Sequence, residues 1–118
     1  KILLQNRKKI SKLGEEWGFF GGGLEKNETP EQALVREIKE ELNYEIKNFS
    51  FFKTEIFENE YHHIEVNYYL VPLDFIDTTQ FDQKEGDGMS LFSLEEAENL
   101  KMNPKDIKVI QSLKEFFA

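Results

Sequence analysis

The chain has no cysteine, which excludes disulfide stapling and any metal site built on thiolates. Long apolar runs are missing as well. None approaches the ~18 to 20 residues that a membrane-spanning helix requires, so no membrane partner is expected. Positive charge is in deficit, with 15 Lys and Arg against 23 Asp and Glu and a net charge of −8. Polynucleotides and anionic bilayers are gripped by Lys and Arg, so neither is an expected partner. An acidic surface still tolerates a polyanionic small molecule when divalent metal travels with it. No repeat, low-complexity tract or interdomain linker interrupts the sequence. A cytoplasmic protein is the default expectation. An initial methionine is lacking too: the chain opens at "KILLQNR", already strand-like, which leaves room for an upstream first strand or signal peptide.

What is present suits a folded protein. A length of 118 residues fits one domain, 1–118, with a modest single core. Apolar residues at 39% and aromatics at 14% argue for globular order over disorder. "KILLQNR" reads as a strand, "KKISKLGEE" as a loop or hairpin connection around Gly14, and "WGFF" (17–20) as a short strand running into Gly21, Gly22 and Gly23. A helix then follows. Thr29 can cap it, Pro30 suits its first position, Gln32 completes a capping box, and Asn43 suits a left-handed stop. Ala33, Leu34, Ile38 and Leu42 supply its apolar stripe.

Downstream, "YEIKNFSFFKTEIFE" and "HIEVNYYLVPL" read as strands joined by a turn at "NEYHH", with Pro72 near a strand end. "DTTQFDQKEGDG" is a polar loop and "MSLFS" a short strand. Ser93 and Glu96 cap a small helix through Leu100. Asn103-Pro104 opens the last helix, whose Ile107, Ile110, Leu113 and Phe117 are spaced to pack on the core. The pattern is β-rich with a central and a C-terminal helix, which gives an α+β class or an α/β/α sandwich.

The central helix carries an unusual load. At ~100° per residue, Glu37, Glu40 and Glu41 fall within a wedge of about 100° on one side, beside the apolar stripe. Like charges at that spacing repel, and more so if partly buried, unless a cation intervenes. Carboxylate oxygens are the hard ligands that Mg²⁺ or Mn²⁺ prefers. Taken alone, such a cluster reads as a solvated acidic helix face.

The residues around it change that reading. Gly22, Glu28, Arg36, Glu37, Ile38, Glu40 and Glu41 reproduce, position for position, the pattern G-x5-E-x7-R-E-U-x-E-E-x-G-U. Agreement at so many fixed positions is far beyond chance. The stretch 22–44 resembles the Nudix box. It departs at Asn43, where the family has Gly, and at Tyr44, where an aliphatic residue is usual. Upstream, "WGFFGGGLE" resembles the family's W-x-F-P-G-G stretch, with Phe20 in place of the proline.

The resemblance implies a Nudix-type α/β/α sandwich with a mixed sheet, whose first strand could lie upstream of this sequence. It implies an enzyme that cleaves a nucleoside diphosphate linked to another group, using Mg²⁺ or Mn²⁺ and water. Glu37, Glu40 and Glu41 then become expected metal ligands, with the Gly21 carbonyl as an additional one. Glu28 and Arg36 become partners that orient the glutamates. The general base stays open between Glu37 and a loop glutamate, for which Glu85 in "QKEGDG" is the choice; an ordinary loop carboxylate is the alternative there.

Gly22 and Gly23 are read as allowing close approach to substrate phosphate, against a plain tight turn. Trp17, Phe19 and Phe20 either stack on a nucleobase or, the default for aromatics, pack in the core. His62 and His63 are adjacent on a strand and point to opposite faces, so a turn or substrate-contact role is preferred to a shared ion. The expected substrate is a small nucleotide, foremost a nucleoside triphosphate, oxidised or not, cleaved to monophosphate and pyrophosphate. A nucleotide sugar or dinucleoside polyphosphate is the runner-up, and a non-catalytic nucleotide sensor and an acidic protein-binding scaffold are the rivals from other classes. A homodimer is the oligomer the family resemblance allows.

Overall fold

A computed structural model of the protein describes residues 1–11, 14–73, 81 and 88–118. In chain order these contain β1 (Ile2–Asn6), β2 (Trp17–Gly18), α1 (Pro30–Leu42), β3 (Ser50–Glu58), β4 (His63–Leu70), β5 (Met89–Phe92), α2 (Leu94–Glu98) and α3 (Pro104–Phe116). The class is α+β. The chain forms two compact units, 1–21 with 83–118, and 22–82.

The first unit is a three-stranded antiparallel sheet, ordered β2-β1-β5, with α2 and α3. Leu4 pairs with Ser90 and Gln5 with both Met89 and Gly18. The β1 centre is covered on both faces: Leu4 and Gln5 are adjacent, so they point opposite ways, yet both are buried. The side-chain Oε1 of the buried Gln5 accepts a bond from Arg7 Nη1 at 3.0 Å, while Arg7 Nε faces Glu15 at 3.4 Å. The absent side chain of Gly18 is what admits the Arg7 stem, since a Cβ there would strike Arg7 Cδ. The ladders are antiparallel; a parallel element enters as the isolated Trp17–Met102 bridge. The expected strand over 17–20 stops at Gly18, and Gly21, at φ 146°, then redirects the chain.

Local signals set the two helices of this unit. Ser93 and Glu96 form a reciprocal capping box on α2, which ends at Glu98 with Asn99 as its cap. Asn103 accepts from the Lys105 N–H and Pro104 takes the first position of α3. Val109, Ile110 and Leu113 bury one stripe of α3 against a core that includes Leu4, Ala97 and Met102. Each such side chain contributes about 1.5–3 kcal/mol. Phe117 does not continue the stripe as expected. It caps the helix, with its N–H still bonded to the Leu113 carbonyl at 3.0 Å, stays 64% exposed and meets Phe116 edge-on at 4.9 Å.

The second unit pairs α1 with the antiparallel hairpin β3–β4. Asn59 turns the hairpin by accepting from the N–H groups of Tyr61 and His62, both at 2.8 Å. His63 faces its cross-strand partner Glu58, with Nδ1 3.4 Å from the carboxylate. Both histidines are exposed. The Tyr69 hydroxyl donates to Glu31 in the first turn of α1 at 2.9 Å, beside Phe49 and Phe51, whose rings meet Tyr69 edge-on. Burial first, and this bond to a carboxylate second, push the Tyr69 hydroxyl pKa up. Among the described residues of this unit, Ala33, Ile38, Leu42 and Ile46 are the buried apolar ones. Among the described residues, no helix is long and apolar enough to cross a membrane.

Candidate active site

The start of α1 fixes where its side chains project. Thr29 accepts from the Gln32 N–H at 3.2 Å and Gln32 Oε1 accepts from the Thr29 N–H at 2.9 Å. Pro30 locks the first helical dihedral, and Asn43 closes the helix in the left-handed region at φ 50°. Between these stops, three glutamates meet three different environments. Glu40 is exposed, at 59% of its side chain, whereas Glu37 retains 16%. Glu41 is 4% exposed and falls within the buried arc of the helix, with Ala33, Ile38 and Leu42. Leu34, expected in that arc, is only half-buried.

Arg36 is the hub of this surface. Its Nε donates to Glu28 Oε2 at 2.7 Å and its Nη2 to Glu28 Oε1 at 2.9 Å, a bidentate fork. Nη2 also donates to the Gly23 carbonyl at 2.8 Å. Nη1 donates to Glu37 at 2.9 Å and to Glu40 at 3.3 Å. A further carboxylate, Glu25, stands 3.5 Å from Nη1. Glu28 is itself fixed from behind, because the Glu25 N–H donates to it at 2.9 Å. The Arg36 bond, reinforced by that backbone N–H, holds the Glu28 carboxyl below the usual carboxylate range. Reciprocally, the bond to Glu28 and then that to Glu37 make Arg36 give up its proton less readily than a free guanidinium, against the effect of burial.

Gly22 makes room for a neighbouring side chain. A Cβ built there would land on the carboxylate of Glu37. The Glu37 carboxyl group therefore rests on bare backbone and is gripped from the other side by Arg36. Gly23 has open space around its Cα, and its carbonyl accepts from Arg36.

The second unit thus gathers Gly22, Gly23, Glu28, Arg36, Glu37 and Glu40 around one guanidinium, with Glu41 one residue beyond. Trp17, Phe20 and Gly21 lie in the first unit. Trp17 packs edge-on against Phe92, with ring centres 4.9 Å apart, and carries Lys8 Nζ over its face at 6.0 Å; Phe20 is half-buried. Glu85 lies outside the described residues. Glu25 was not singled out by the sequence. Its signal is a place three residues before Glu28, in a turn that Asn27 closes at φ 65°.

Two observations fit these residues to a hard divalent cation. The donor set is carboxylate oxygen, the ligand type that Mg²⁺ and Mn²⁺ favour. The Glu37 carboxyl group has been given room by a glycine and is held in one orientation by an arginine, which is how supporting partners aim a ligand. Among the described residues no three carboxylate or imidazole groups already converge on one point; Glu37 and Glu40 are turned to Arg36.

A model of the NUDIX domain matches residues 1–113. The chain belongs to the NUDIX domain family. Among Nudix relatives, an 8-oxo-dGTP diphosphatase of Proteus vulgaris is 37% identical over 70 residues, 59% of this chain and 62% of the relative. A CTP pyrophosphohydrolase of Escherichia coli K12 is 34% identical over 112 residues, 95% of this chain and 81% of the relative. The chain therefore spans less than two thirds of the first relative's length and four fifths of the second's. The solution structure of the E. coli ORF135 protein superposes with a TM-score of 0.83 at 32% identity, covering 100% of this chain and 82% of that one. The Nudix fold is thereby shown for the described elements.

Proposed function

We propose that the protein is a metal-dependent Nudix pyrophosphohydrolase that cleaves a nucleoside triphosphate to monophosphate and pyrophosphate. One observation carries this reading: Glu37 is seated on Gly22 and latched, like Glu28, to Arg36. A decayed site would have no reason to keep that arrangement. The substrate class is supported by relatives whose names specify nucleoside triphosphates, 8-oxo-dGTP and CTP. The family model crosses both compact units, which supports treating 1–118 as one Nudix domain with its box at 22–44.

In this reading Glu37, Glu40 and Glu41 hold Mg²⁺ or Mn²⁺, with the Gly21 carbonyl as a further ligand. A divalent cation supplies charge neutralisation for the diphosphate and polarises a phosphorus–oxygen bond. The chain's own residues do the rest. Arg36 and Glu28 keep the ligands aimed, and Gly22 and Gly23 leave the backbone bare beside the carboxylates. A carboxylate, Glu37 or Glu85, takes the proton from the attacking water. Water adds to the α- or β-phosphorus, the anhydride bond between them breaks, and the departing pyrophosphate or nucleoside monophosphate, respectively, carries away the bonding pair.

The test is pyrophosphate release with Mg²⁺ over a panel of nucleoside triphosphates, including CTP and 8-oxo-dGTP, with nucleotide sugars and dinucleoside polyphosphates as contrasts. Fastest turnover on a triphosphate, with pyrophosphate and monophosphate as products, is the expected result. Nucleotide binding without turnover at any metal concentration would overturn it in favour of a sensor.

A further inference from the structure

The donors of Arg36 do not match its acceptors. A guanidinium carries five N–H groups: one on Nε and two on each terminal nitrogen. Glu28 and the Gly23 carbonyl use the one on Nε and the two on Nη2. Two remain, on Nη1, and three carboxylates stand around that nitrogen: Glu37 at 2.9 Å, Glu40 at 3.3 Å and Glu25 at 3.5 Å. Glu37 and Glu40 hold the two hydrogens, and Glu25 is left as an ion pair without a hydrogen bond.

Glu25 is also well placed to wait. Its main chain is fixed, since its N–H donates to Glu28 and its carbonyl accepts from the Glu28 N–H at 3.1 Å. Its side chain is 66% exposed, so water meets the carboxylate while it is not bonded and a small rotation suffices to close the gap. Glu37 and Glu40, by contrast, would have to serve both Arg36 and a cation.

We propose that Glu25 is a positioning residue for the metal-bound state: it takes over Nη1 of Arg36 when Glu37 and Glu40 turn their oxygens to a divalent cation. The guanidinium then keeps a full set of anionic partners, and the turn from Gly23 to Glu28 stays docked on α1. Glu25 thus lowers the cost of pulling two carboxylates off an arginine. This inference rests on the proposed metal site, and it concerns a residue at one of the five variable positions between Gly22 and Glu28.

The test is Mn²⁺ affinity, measured by electron paramagnetic resonance of free ion, for the wild-type chain and two variants. Glu25→Gln removes the charge. Glu25→Asp keeps the charge but shortens the side chain by one methylene, out of reach of Nη1. Both variants are expected to bind Mn²⁺ about three- to fivefold more weakly, the scale of a partly exposed ion pair, with unchanged circular dichroism. Wild-type affinity in Glu25→Asp would overturn the proposal, because a remote negative charge would then account for any effect of Glu25→Gln. Wild-type affinity in both would overturn it as well. Absence of Mn²⁺ binding by the wild-type chain at millimolar ion would instead remove the metal site itself, and this inference with it.

Discussion

At the scale of single residues, Gly22 and Arg36 confine Glu37 from opposite sides. Gly22 does not need glycine for its dihedrals, since it is not among the positive-φ positions. It needs glycine for space. Gly22→Ala should therefore leave the melting temperature nearly unchanged, because alanine tolerates that backbone and restricts the unfolded chain. Turnover should fall about 10- to 100-fold as the Glu37 carboxyl group is displaced; wild-type turnover measured on the purified variant would contradict the steric account.

A second residue makes a pH prediction. Burial pushes the Asp106 carboxyl up to about 6 from 3.8, assisted by Glu15 and opposed by Arg7 and Lys105. The folded value lies above the unfolded one, so the folded state favours the protonated acid. Its contribution to stability is full below pH 3.8 and is lost as pH rises through about 6. Asp106→Asn removes that dependence. Relative to wild type, its melting temperature should be higher at pH 8 than at pH 4 by thermal unfolding. An identical difference at both pH values would show that Asp106 ionises without penalty.

At the scale of elements, α1 is a short amphipathic helix defined by its ends. Its capping box satisfies N–H groups at the helix start, and the same start sets the rotation at which Glu37, Glu40 and Glu41 leave the helix. Thr29→Ala should cost about 1 kcal/mol, read as a lower urea midpoint with an unchanged slope. No change would mean the box is not what anchors the helix.

Caps were legible in the sequence because they are local. Thr29 with Gln32, Ser93 with Glu96, Asn103 with Pro104 and the Asn43 stop all act within a few residues. The box residues were legible through their fixed spacing. What the sequence did not disclose depends on contacts or on where a helix ends. Glu25 meets Arg36 across a turn, and the Glu37 carboxyl group lies over a glycine far back in the chain. Glu41 is buried because of what covers α1, which helical spacing alone does not reveal. Phe117 keeps helical spacing but sits at the end of α3, where both it and Phe116 are exposed.

At the scale of the molecule, the proposed function must be reconciled with the charge. A net charge of −8 would repel a nucleotide polyanion unless cations accompanied it, so on the proposed function substrate binding and metal binding form one requirement. The central claim is that acidic side chains of α1 hold divalent metal at which a phosphoanhydride is split. Glu41→Gln tests it most directly, because glutamine preserves the buried shape and removes the anionic oxygen. Pyrophosphate release from a nucleoside triphosphate at saturating Mg²⁺ should fall by about 100-fold or more, with an unchanged circular dichroism spectrum. Turnover within a factor of about two of wild type, well below the tenfold that 1.36 kcal/mol of barrier represents, would contradict the account.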